Sequence, residues 1–212
     1  MIATLLTTAI PFPSKASGQD LPNGGFEEFS VSPNSYNTIR ELDDWQTDLS
    51  SGMLKIWGSG FQQINSFEGI DFAQLGGNIS SNLFQDLSNI NYGKEISWYF
   101  AHRARIDDET VNLKITDFGT DNQIGNNDDT VLFNQNFTTS NEWKLYQGKG
   151  IYSLGNKTRI EFTPILNGEL NNSTGNFIDY VNFGTNIAPP IPGPGVFSFL
   201  LIAGVLFKPH RR

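Results

Sequence analysis

Apolar and polar residues alternate in short runs along most of this chain, and Asn- and Gly-rich stretches break the runs about every ten residues. The alternation predicts strands over 53–57, 72–75, 83–87, 95–105, 110–116, 130–137, 143–146, 158–163 and 176–183. Within 95–105, Ile96, Trp98 and Phe100 share one face, and Tyr99, Arg103 and Arg105 share the other. Within 110–116, Val111, Leu113 and Ile115 point one way, and Asn112, Lys114 and Thr116 the other. A two-residue period with one apolar face marks half-buried antiparallel strands. No apolar stripe of helical period exceeds two turns. Short strands joined by polar turns predict an all-β fold, a two-sheet antiparallel β-sandwich of jelly-roll type.

The two ends break this pattern. Residues 2–10 are an apolar run followed by Ser14-Lys15-Ala16, a small-residue cleavage pattern. Residues 195–207 are apolar or small, with a Pro-rich break before them and Lys208, Arg211 and Arg212 after them. As a helix this run spans roughly 20 Å, short of the ~30 Å hydrocarbon core, which suits temporary membrane residence. The basic end would stay on the cytoplasmic side. The division expected is a signal peptide at 1–16, a β-sandwich domain at 17–187, and a Pro-rich linker with a C-terminal apolar helix at 188–212. A folded N-terminal strand and a buried C-terminal element are the alternatives.

This tail resembles the PEP-CTERM sorting signals of Gram-negative bacteria and cyanobacteria. The motif reads Pro192-Gly193-Pro194, with Gly where the usual form has Glu. The resemblance implies a secreted protein handed to an exosortase-type membrane protease. It would be exported to the cell surface, outer envelope or extracellular matrix, with transient membrane insertion through the tail.

Charge narrows the function. The formal net charge is −8, from 14 basic and 22 acidic residues. Lys15, Lys208, Arg211 and Arg212 lie in the two ends, so the body carries 10 basic against 22 acidic residues, or −12. Nucleic-acid binding needs clustered Lys and Arg against phosphate and is disfavoured. Cysteine is absent, which excludes thiol catalysis and Cys-based zinc sites.

Several groups of residues could carry chemistry. Leu21-Pro-Asn23-Gly-Gly-Phe26-Glu27 opens the domain, and Phe177-Ile178-Asp179-Tyr180-Val181 closes it. These segments resemble the start and final strand of jelly-roll carbohydrate-binding modules with a galactose-binding-like fold. The resemblance implies that first and last segments lie side by side. It also implies that Glu27 and Asp179 share a structural calcium, a hard cation suited to carboxylate and carbonyl oxygens. The alternative is that both acids only bond backbone or face solvent. A further series, Glu68-Gly69, Phe72-Ala73-Gln74-Leu75, Gln85-Asp86 and Trp98-Tyr99-Phe100-Ala101-His102-Arg103, resembles a group of secreted bacterial proteins that often carry the same tail. That resemblance implies a fold and a location more than an activity.

From the residues themselves, Arg103 and Arg105 share a strand face with Tyr99, and guanidinium groups over an aromatic ring can grip a sugar carboxylate or hydroxyls. Glu68 and Trp57 complete the candidate ligand-binding set of Trp57, Glu68, Tyr99, Arg103 and Arg105. Each has a structural alternative: an Arg pairing with Glu68, Asp86, Asp107 or Asp108, or a Trp packed in the core. His102 follows the phase of Trp98 and Phe100 and belongs to the core side. The acidic stretch from Asp117 to Thr130 fits no standard calcium loop and reads as a turn with a second-calcium alternative.

Enzyme motifs are missing: no Gly-x-Ser-x-Gly, no Gly-x-x-x-x-Gly-Lys, no His-Glu-x-x-His. The expectation is a non-catalytic carbohydrate-binding module for surface or extracellular polysaccharide. A structural surface or matrix protein without glycan binding is the alternative, and a carboxylate-pair glycoside hydrolase is the third reading.

Overall fold

The computed structural model describes residues 21–40, 44–48, 53–76, 82–88, 90–165, 175–185 and 187. They form ten strands: β1 (Tyr36–Arg40), β2 (Met53–Gly58), β3 (Asp71–Leu75), β4 (Leu83–Leu87), β5 (Glu95–Ala104), β6 (Glu109–Asp117), β7 (Thr130–Thr139), β8 (Lys144–Tyr152), β9 (Thr158–Ile165) and β10 (Asn176–Thr185). A six-stranded sheet runs β1-β2-β3-β10-β5-β8, and a four-stranded sheet runs β4-β9-β6-β7. All pairings are antiparallel. The expected two-sheet antiparallel sandwich is what the chain forms.

Alternation places the core. Ile56, Ile96, Trp98, Phe100, Ile178 and Phe183 of the six-stranded sheet meet Leu83, Val111, Leu113, Ile115, Ile160 and Phe162 of the four-stranded sheet. Phe100 sits at the centre, fully buried, with its ring 5.3 Å from Phe137 and 5.0 Å from Phe162. Burying a side chain of this size contributes about 2 kcal/mol of transfer free energy. His102 is also buried on this face, bonded through Nε2 to Asn176 Oδ1 at 2.7 Å.

Two strands exceed the expectation. β1 was not foreseen because four of its five residues are exposed, and it is an edge strand with no apolar face to advertise it. β8 continues to Tyr152 through Gln147-Gly-Lys-Gly, because pairing with β5 holds a stretch whose own propensity is poor.

The segment before β1 closes one side of the sandwich. Trp45 is buried against Phe26 at 5.2 Å and donates its indole N–H to the Asn23 carbonyl at 2.8 Å. The Val181 amide donates to the Gly24 carbonyl at 2.8 Å, so the opening segment lies against the final strand. β10 bulges between Asp179 and Asn182, where Tyr180 has a left-handed φ of 49°. The expected signal peptide at 1–16 and the tail at 188–212 lie outside the described residues. The tail includes Pro192, Gly193, Pro194, Arg211, Arg212 and the apolar helix. Among the described residues no helix is long and apolar enough to cross a membrane.

Candidate functional site

The outer face of the six-stranded sheet holds a second apolar cluster of Trp57, Ile64, Phe72 and Phe177, with Phe61 and Trp143 packed against it. Register explains the grouping. Thr38, Lys55, Gln74, Phe177 and Arg103 are successive cross-strand partners, and Tyr36, Trp57 and Phe72 form the adjoining row. Rings then continue across the face: Trp57 to Phe177 at 4.8 Å, Phe177 to Phe72 at 5.1 Å, Phe72 to Trp143 at 5.7 Å. Beyond Trp143 come Phe67 at 6.1 Å, Tyr180 5.6 Å from Phe67, and Tyr99 5.0 Å from Tyr180.

Cations gather at the Trp57 end. Trp57 itself is only 1% exposed, and its indole N–H donates to Gln74 Oε1 at 2.7 Å. The Arg105 guanidinium lies 5.2 Å from the Trp57 ring centroid and donates from Nη2 to Gln62 Oε1 at 2.9 Å. Lys55 Nζ lies 4.8 Å from the Tyr36 centroid and 5.7 Å from that of Trp57. Burial lowers the Lys55 ammonium from its ordinary range, and the charge of Arg105 lowers it further. Burial also lowers both arginines, opposed at Arg103 by the charge of Glu142. Arg103 Nε is buried without a hydrogen-bond partner. Tyr36 is 50% exposed and forms the accessible lip of this end.

A loop between β2 and β3 is pinned over the same face by two carboxylates. Asp179, fully buried, accepts the Phe67 and Glu68 amides on Oδ2 at 2.8 and 3.0 Å, and the Tyr180 amide on Oδ1 at 2.6 Å. Glu27 Oε1 accepts the Ile70 and Asp71 amides at 2.8 and 3.0 Å. Gly69 is required between them: with φ 58°, a Cβ there would stand 2.0 Å from Glu27 Oε1. Burial pushes the Asp179 carboxyl well above its usual range. Asp71 is pushed up to about 6, mainly by burial and also by the charge of Glu27. Asp71 Oδ2 accepts the Val31 amide, and its Oδ1 is buried without a partner. Among the described residues no three acidic or imidazole side chains converge in a metal-holding cluster.

The five candidate ligand residues therefore share one face but divide into two ends. Trp57, Arg103 and Arg105 stand with Lys55 and Gln74. Tyr99 and Glu68 stand near Tyr180, where Asn182 Nδ2 donates to Tyr99 Oη at 3.1 Å. Arg105 covers Trp57 rather than Tyr99. Sequence reasoning missed Lys55, Tyr36, Gln62, Gln74 and Tyr180. Lys55 was findable, being two residues from Trp57 on a foreseen strand and so on its face. The Asp117–Thr130 stretch behaves as a turn: Asp128 caps Thr120, Asp129 caps Gly125 and Asn126, and the buried Asp117 accepts the Leu154 and Gly155 amides.

No protein-family model matches this chain, and no curated protein matches it. Solved structures do. The carbohydrate-binding module TmCBM61, solved in complex with β-1,4-galactotriose, has a TM-score of 0.54 and 18% identity over 80% of this chain and 100% of its own. The CBM22-1 xylan-binding domain of Paenibacillus barcinonensis Xyn10C has 0.48 and 9% over 76% and 100%. The N-terminal cellulose-binding domain of Cellulomonas fimi β-1,4-glucanase C has 0.46 and 11% over 75% and 100%. The described domain is thus a jelly-roll sandwich with the fold of a carbohydrate-binding module.

Proposed function

We propose that the chain is a non-catalytic glycan-binding module whose ligand lies across the outer face of the six-stranded sheet. The observation that carries the reading is the convergence of Lys55 and Arg105 on Trp57 beside the half-exposed Tyr36. A half-exposed ring and charged donors beside a buried apolar floor suit sugars, which present C–H faces and hydroxyls together. The TmCBM61 likeness, which is one of fold, makes β-1,4-galactan a sensible first probe.

A glycan array followed by titration calorimetry tests it. Saturable binding lost in Tyr36→Ala supports the module. A blank array favours the structural surface protein. Export, exosortase sorting and surface location are part of the same proposal and rest on the resemblance of the tail alone.

A structural calcium is proposed beside Glu27, with Asp179 as the second carboxylate that the resemblance implies. The unpartnered Asp71 Oδ1 next to Glu27 supports a cation there. Thermal unfolding in calcium and in EDTA decides it. Stabilisation by calcium that disappears in Glu27→Gln supports the ion, and superimposed transitions remove it.

A further inference from the structure

We propose that the glycan this face takes is anionic, its carboxylate or sulfate groups held by Lys55, Arg105 and Arg103. The inference rests on the glycan-binding reading above and names its ligand class.

The body of this protein has few cations and many acids, yet four of its ten basic residues, Arg40, Lys55, Arg103 and Arg105, lie on or at the end of this one face. Two of them share a single indole, at 5.2 and 5.7 Å from its centroid, close enough for Arg105 to disfavour charge on Lys55. Like charges so placed repel, and partial burial removes water that would screen them. Among the described residues Lys114, Lys157 and Arg159 form ion pairs with Glu161 and Asp86, and none is seen at Lys55 or Arg103. The charge of Glu142 acts on Arg103, and the charge of Arg105 acts on Lys55. An anion seated between Lys55 and Arg105 would offset their repulsion.

The backbone beside the patch is strained in the same place. Gln62 and Gln63 have left-handed φ of 50° and 64°, and Gln62 is the residue whose amide oxygen positions the Arg105 guanidinium. Non-glycine residues in that region are strained, and such strain clusters where a ligand is clamped. Held this way, the Arg105 guanidinium stays beside Trp57, and a guanidinium fork suits two-point contact with a planar carboxylate.

The test titrates the full-length chain with polygalacturonate, a sulfated galactan and neutral β-1,4-galactan, at low and high salt. Preference for either anionic polymer, weakened by salt, supports the inference, and the stronger of the two identifies the anion as carboxylate or sulfate. Lys55→Gln and Arg105→Lys should each weaken anionic binding about tenfold and neutral galactan binding much less, with exposed Lys149→Gln as the silent control. Thermal unfolding of each variant confirms that the fold is intact. Neutral galactan bound as tightly as the anionic polymers, or lost equally in the variants, overturns the anionic assignment while the module reading survives. No binding to any of the three overturns both.

Discussion

The two outer faces of this sandwich use the same residue types in opposite ways. On the four-stranded sheet every cation meets an acid or a ring across a strand. Arg159 forks onto Asp86 with bonds of 2.6 and 3.0 Å and lies 3.8 Å from the Phe84 centroid, and Lys114 reaches Glu161 at 2.8 Å. Asn112 bridges Asn134 and Asn136. This is a finished polar ladder of cross-strand pairs. On the six-stranded sheet Lys55 and Arg105 converge on the same ring. A closed ladder stabilises; on the other face the proposed ligand would offset the repulsion between Lys55 and Arg105.

The comparison can be broken from several directions. The largest effect is expected from Asp179→Ala, which strips three backbone amides of their acceptor and frees the loop over the aromatic face. Chemical denaturation should report a loss of about 3 kcal/mol or more.

Nearly as large is a pH effect from the core side. Burial pushes His102 down to about 4 from its ordinary 6.5. Below 6.5 the unfolded chain takes up a proton that the folded chain refuses, so stability drains as pH falls from about 6.5 to about 4. The drain amounts to about 3 kcal/mol. The buried acids Asp71 and Asp179 act in the opposite sense, being stabilising when protonated and losing that contribution as pH rises. The His102 share is therefore read as the difference between the parent and His102→Gln across that window. A flat difference would mean that the imidazole is charged in the fold.

Next comes Asp86→Ala on the four-stranded face, where Arg159 and Lys157 lose their carboxylate. A loss of about 1–2 kcal/mol is expected in denaturant titration, with glycan binding untouched. The smallest effect on stability belongs to Lys55→Gln and Arg103→Gln, within about 0.5 kcal/mol or slightly stabilising. If these two cost as much as Asp86→Ala, the two faces are built alike and the contrast fails.

Nine strands were legible because each carries an apolar face whose period is local. β1 was not, since Tyr36, Asn37, Thr38 and Arg40 are all exposed. Arg103 and Arg105 were placed on the outer face correctly by strand phase alone. Their partner was not legible. Arg105 reaches Trp57 only because the sheet order sets β10 and β3 between β5 and β2, and that order is a property of the whole chain. Tyr180 was hidden for another reason: the bulge at Asp179 shifts the register there, and a bulge leaves no mark in the hydrophobic pattern.

The position of β10 has a consequence for how this protein is made. The last strand among the described residues is an interior one, paired to β3 on one side and β5 on the other. While a ribosome is still short of residue 176, both neighbours present bare edges, and the Asp179 anchor does not exist. Such edges invite pairing with other chains, and closure by a distant segment is slow. Completion is thus deferred until translation has delivered β10. A product released before that point would be a target for quality control, not a weaker copy of the same protein.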